Sequence, residues 1–183
     1  MKMKKTFIFS LFVLFCSSAY ANPKVVTALK EGGKIIFIRH AYAPGGGDPN
    51  NFDIRDCSTQ RNLNTTGINQ AKRIGQFFKD NKISIDSVLS SEWCRCKDTA
   101  KNAFKNYETF KALNSFFSVK FSKNREKQMK DLKFFVKNWD SKKNIVFVTH
   151  YVVIYEALNK AVNSGEIIVV DKKLKLIGIV EID

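Results

Sequence analysis

Two four-residue apolar runs stand out along the chain, Ile35-Ile36-Phe37-Ile38 and Ile145-Val146-Phe147-Val148. A run with no polar alternation is the pattern of a strand buried on both faces of a parallel sheet. Each stops abruptly at one polar residue followed by a histidine, Arg39-His40 and Thr149-His150, and the chain holds no other histidine. Ligands of open α/β sheets bind outside the carboxyl ends of the strands, so two histidines at two such ends are expected to converge on one site.

The remaining pattern supplies the elements around these strands. Pro23 to Lys30 reads as a short helix stopped by Gly32-Gly33. Residues 65 to 79 carry Ile68, Ala71, Ile74, Gly75 and Phe78 at helical spacing behind Asn64, a good N-cap. Ile83 to Leu89 contains a strand ending at Ser90-Ser91, which are placed to cap a helix from Glu92 to Phe104. A helix from Asn124 to Asn138 has Met129, Leu132, Phe135, Val136 and Trp139 on one side. Another, Tyr151 to Lys160, follows His150. Glu166 to Val170 and Leu174 to Ile182 read as a terminal hairpin at a sheet edge. Strands alternating with helices predict an α/β fold, a three-layer α/β/α sandwich on a mostly parallel, mixed sheet. Two stretches have no period: the Gly/Pro-rich loop of about 25 residues after His40, and Lys105 to Ser122. Loops of that length inside a compact domain usually serve function.

The amino terminus changes the compartment. Lys2, Lys4 and Lys5 precede an apolar run from Phe7 to Phe15 and a small-residue ending at Ala21, the order of a secretory signal peptide. We expect residues 1–21 to be removed, leaving 22–183 as one domain, periplasmic or secreted, with no transmembrane segment. The full chain has a formal net charge of +14, and loss of three lysines with the leader leaves +11. A basic field favours anionic partners. The lysines are scattered rather than blocked together, so nucleic acid is not expected. Export also permits disulfides. Cys94 and Cys96 are too close on one helix turn to pair readily, so Cys57 pairs with one of them; Cys96 shares the apolar face of its helix with Trp93, Ala100 and Ala103, which favours Cys57 with Cys94.

The chemistry rests on Arg39-His40. A guanidinium fork matches two phosphate oxygens, and a neutral imidazole can attack phosphorus if a main-chain acceptor fixes the tautomer through its other nitrogen. By itself such a pair is more often a capped strand end. Arg95, in the first turn of the helix after Ser90-Ser91, adds a second fork beside a helix start. No cysteine opens a phosphate loop after a strand, and no Gly-rich Lys-Ser/Thr loop occurs. Cys57, Cys94, Cys96 and His150 have the ligand types for zinc but an unusual spacing.

Taken together, Arg39-His40, Leu63-Asn64-Thr65-Thr66-Gly67-Ile68-Asn69-Gln70-Ala71, the Ser90 to Ala100 segment with Arg95, and Val148-Thr149-His150 resemble, in order and rough spacing, the histidine phosphatase superfamily with its phosphoglycerate-mutase-like fold. The resemblance spans about Lys34 to Leu158. It implies a phosphoric monoester hydrolase in which His40 becomes phosphohistidine while Arg39, Arg95 and His150 hold the phosphoryl group, His150 supplying charge when protonated. It implies no metal and no cofactor. The sequence departs from the family pattern at Ala41, commonly Gly, and in lacking an acid between Thr109 and Arg125, where many members carry a glutamate. Asp48, Asp53 and Asp56 are the candidate proton donors, and Arg55 and Arg61 candidate substrate-binding groups. The expected substrate is a phosphorylated small molecule or envelope glycan. The alternative is a catalytically weak phosphate-binding envelope protein.

Overall fold

The computed structural model describes residues 22–182, and the expected leader lies outside them. The chain runs α1 (Pro23–Glu31), β1 (Ile35–Arg39), α2 (Thr65–Asp80), β2 (Ile85–Ser90), α3 (Cys94–Phe104), β3 (Glu108–Thr109), α4 (Val119–Ser122), α5 (Arg125–Asn138), β4 (Asn144–Thr149), α6 (Tyr151–Leu158), β5 (Ile167–Val170) and β6 (Leu176–Val180). No helix among the described residues is long and apolar enough to cross a membrane.

The six strands lie in the order β3-β2-β4-β1-β5-β6. The first four are parallel; β5 runs antiparallel to β1, and β6 antiparallel to β5. This is the mixed three-layer sandwich that the pattern predicts. The strands alternate their side chains between two cores. Ile36, Ile38, Val146 and Val148 face α1, α2 and α3, whereas Ile35, Phe37, Ile145 and Phe147 face α5 and α6. Both faces are apolar because both are covered, which is why the runs show no polar alternation.

At the amino end of the sheet, buried Asn144 ties three segments: its amide donates to the Leu29 and Ser84 carbonyls, and its oxygen accepts from Lys34 N. At the carboxyl end the ladder continues past the strands. His40 N donates to Thr149 O at 2.9 Å and Ser91 N to Val148 O at 2.9 Å, so the last residues of β1, β2 and β4 arrive at one level.

Three local features differ from expectation. The third helix begins at Cys94 rather than Glu92, because Ser91 spends its hydroxyl elsewhere and Trp93 takes the cap position without a side-chain bond. The aperiodic stretch after Phe104 contains strand β3, a 3₁₀ turn at Lys111–Leu113 and the single turn α4. Within the long loop, Asp56 caps a 3₁₀ turn at Cys57–Thr59. That turn is fastened to the start of α3 by a Cys57–Cys94 disulfide, while Cys96 stays a buried thiol.

Candidate active site

His40 and His150 meet at the carboxyl ends of β1 and β4, with ring centroids 5.5 Å apart and planes at 67°. The parallel register that pairs Arg39 with Thr149 sets them side by side. Both are almost wholly buried. His40 Nδ1 lies 2.8 Å from the Ala41 carbonyl oxygen. A carbonyl only accepts, so Nδ1 carries the hydrogen and Nε2 keeps its lone pair. Burial, followed by the positive field of Arg95, drives the His40 pKa well below the ordinary range, against the pull of the Ala41 bond. His40 is thus neutral at neutral pH, as a nucleophilic imidazole has to be.

The backbone after His40 is pinned from two sides. Ala41 N donates to Thr99 Oγ1 of α3, and Tyr42 N to Gln70 Oε1 of α2. The first turn of α2 approaches so closely that a Cβ on Gly67 would collide with the Tyr42 carbonyl oxygen. The Leu63 to Ala71 motif therefore buttresses the segment that orients His40.

His150 is held through Ser91. Its Nε2 lies 2.9 Å from Ser91 Oγ and 3.4 Å from Cys96 Sγ. Ser91 Oγ donates to Asn114 Oδ1, and the Asn114 amide is itself oriented by Glu92, which donates its N–H to Oδ1 and accepts from Nδ2. With its hydrogen committed to Asn114, Ser91 accepts from His150 Nε2–H, and Nδ1 is the nitrogen left to gain a proton. Burial, and then the charges of Arg95 and the neighbouring His40, push the His150 pKa well below the usual range. His150 is neutral in this state, and a phosphate dianion beside it would favour its charged form.

Arg95, only 4% exposed, is paired with Asp48: Nη1 reaches Oδ1 at 2.7 Å and Nη2 reaches Oδ2 at 3.2 Å. Asp48 also accepts from Trp93 Nε1 and Arg61 N. Burial pushes the Asp48 pKa up, but these bonds, led by Arg95, outweigh it and hold the carboxyl below its ordinary value. Arg39 donates to the Val162 carbonyl and lies over the Tyr151 ring; Arg61 donates to the Ala43 carbonyl. The Nε atoms of Arg39, Arg61 and Arg95 are all buried without a partner among the described residues. Buried donors left unpaired are costly, and three on arginines lining one cavity suit an anion.

That cavity, about 900 Å³, is lined by His40, His150, Arg39, Arg61, Arg95 and Asp48. The other named residues lie apart. Arg55 is an exposed ion pair with Asp53, and the same bonds from Arg55 hold the Asp53 carboxyl at about 2. Asp53 lines a second cavity of about 590 Å³, which shares Phe52, Trp93 and Phe121 with the first. Asp56 accepts from Ser58. Trp93, which touches both Asp48 and the His150 ring, and Ser91 were not singled out from sequence; their signal was their place in the turn between a strand end and Arg95. The four residues of zinc-ligand type are divided by the disulfide.

The mixed α/β sheet thus carries paired histidines and a basic cavity at its carboxyl edge, a setting whose charge suits an anion. The family model of the histidine phosphatase superfamily (branch 1) matches residues 35–115. No curated protein sequence matches this chain. Among solved structures it is similar to the putative phosphohistidine phosphatase SixA from Agrobacterium tumefaciens, with 18% identity and a TM-score of 0.58, covering 83% of this chain and 99% of that one. It is likewise similar to the protein TTHB049 of Thermus thermophilus, with 15% identity, a TM-score of 0.57, and 81% and 99% coverage. A third likeness is to the protein histidine phosphatase SixA complexed with tungstate, with 14% identity, a TM-score of 0.54, and 82% and 94% coverage. At these identities the likenesses speak for the fold.

Proposed function

We propose that this chain is an exported phosphomonoesterase working through a phosphohistidine on His40. The observation that supports it most is the neutral, buried His40 with Nδ1 locked to the Ala41 carbonyl, beside His150 and three arginines in one cavity. His40 Nε2 attacks phosphorus and the P–O ester bond breaks. Arg39, Arg95 and His150 carry the charge of the transferring group. Asp48, the candidate acid that lines the cavity, takes up a proton from solvent and gives it to the leaving alkoxide. It does so after the phosphoryl group has engaged Arg95 and added its negative charge, which raises the affinity of the carboxyl for a proton. Water then attacks the phosphohistidine, Asp48 takes back a proton, and inorganic phosphate leaves. Residues 22–183 form the mature domain in this reading. The leader-like order of residues 1–21 and the Cys57–Cys94 disulfide support an oxidising compartment, the periplasm.

Mature protein incubated with an aryl phosphate is expected to release phenolate and accumulate an acid-labile phosphoenzyme. His40→Ala is expected to do neither. Equal phosphoenzyme in that variant sinks the nucleophile assignment. The second reading, a phosphate-binding protein of weak activity, is favoured by Asp48 occupying Arg95 and by the acid-free stretch from Thr109 to Arg125. Binding of phosphate without turnover would support it. An alkyl phosphate, whose leaving group needs a proton, and a phosphohistidine peptide, of the kind two fold relatives are named for, complete the assay.

A further inference from the structure

The large apolar side chains that remain exposed are not scattered. Seven such residues are found among those described, and four of them, Tyr42, Phe117, Val119 and Tyr151, line the mouth of the cavity; a fifth, Tyr155, stacks on Tyr151 with centroids 5.8 Å apart. Phe117 is 76% exposed and Val119 90%. An exposed apolar patch of this kind marks a binding surface. It does not form a flat face. It continues inward as Phe52, Trp93 and Phe121, packed with centroids 5.2 to 5.6 Å apart, and Trp93 meets His150.

Polarity along the cavity is therefore segregated. The charged groups that line it are Arg39, Arg61, Arg95 and Lys120 against one acid, Asp48, which Arg95 already neutralises. An inorganic phosphate would use the basic groups and none of the apolar rim. A cavity of about 900 Å³ has room for a ligand of drug size. We infer that the ligand is a phosphate-bearing amphiphile, its phosphate on the arginine and histidine floor and its alkyl portion along Phe121, Phe117 and Val119. This rests on the proposed phosphate site but not on turnover there. It commits the rim to the tail of the same molecule rather than to a protein or an intact bilayer, because the apolar surface leads into the basic floor.

Phosphonates test it, since their P–C bond is not hydrolysed whether or not the chain is a phosphatase. By titration calorimetry, with the alkyl ligand below its critical micelle concentration, decylphosphonate is expected to bind the mature protein at least about tenfold tighter than methylphosphonate. That is the gain from burying about two methylenes. In Phe117→Ser/Val119→Ser, both sites being exposed and the fold checked by circular dichroism, the ratio is expected to fall below about threefold. Equal affinities, binding of neither ligand, or a ratio that persists in the double variant overturns the inference. So does a rim-dependent attachment to phosphatidylglycerol vesicles with no chain-length preference, the outcome for a membrane-docking face. If the preference holds while aryl phosphate is not hydrolysed, the phosphatase reading fails and the amphiphile site stands.

Discussion

The floor of the cavity and its roof are built by different means. The floor is the carboxyl edge of β1 and β4, where main-chain bonds from one strand to the next carry His40 and His150 to one level. The roof comprises the loop after His40 and the segment from Phe110 to Asn124. It is held by side chains: Asp48 on Arg95, Gln60 on Cys94 N, Asn114 on Ser91, and one disulfide. A backbone ladder tolerates most substitutions because every residue makes the same bonds. A roof of specific pairs fails one pair at a time.

Arg95 belongs to both, and its loss is expected to have the largest effect. Arg95→Ala should lower kcat/KM for aryl phosphate by about 10³-fold, the scale of removing one fixed charge-stabilising donor. Arg55→Ala, outside the cavity, should stay within about twofold. Similar losses in both would erase the distinction between residues inside and outside the cavity.

Next is the disulfide, which closes a separation of 37 residues. In the chain-entropy picture Cys57→Ser/Cys94→Ser costs about 4 kcal/mol. Calorimetry should show a Tm lower by about 10 °C for a domain of this size. The floor predicts retention of the sheet in far-ultraviolet circular dichroism at temperatures below that transition.

A smaller effect follows from the two buried histidines. Both have folded pKa values below the unfolded value of about 6.5, so below that pH the unfolded state binds more protons and stability falls as pH falls. Stability is therefore expected to fall as the pH is lowered from 6.5 to 5.5, while above about pH 7 the contribution of the pair is flat. Denaturant midpoints measured across that range check the sign, and His40→Ala should flatten the slope.

The smallest is Asp48→Asn. Releasing Arg95 and removing a negative charge should tighten competitive inhibition by inorganic phosphate by about tenfold. The same variant should lose more activity on alkyl than on aryl phosphate. An unchanged ratio removes Asp48 from the role of acid.

The floor was legible in the sequence because buried strands and their abrupt polar ends are local signals. Arg39-His40 and Thr149-His150 could be read within six residues each. The roof was only partly legible. Asp48 and Arg95 are 47 positions apart, and nothing near either one announces the other. Lys105 to Ser122 has no period because its apolar residues divide between a core, through Leu113 and Phe116, and an open rim, through Phe117 and Val119. Cys57 and Cys94 could be paired because apolar spacing on α3 removed Cys96 from the surface. Of the two serines before α3 that looked like caps, Ser91 instead serves a histidine, since capping and imidazole recognition ask for the same side chain.

The matched register of β1 and β4 carries one more consequence. Neighbouring strands are spaced about 4.8 Å apart by the dimensions of the peptide group itself. The gauge between the two imidazoles is thus inherited from the polymer rather than tuned by side chains. Substitutions in either core can shift this edge as a block, but they cannot readily widen the gap between its two histidines. Variation in what such a protein accepts is left to the parts that ride above the edge.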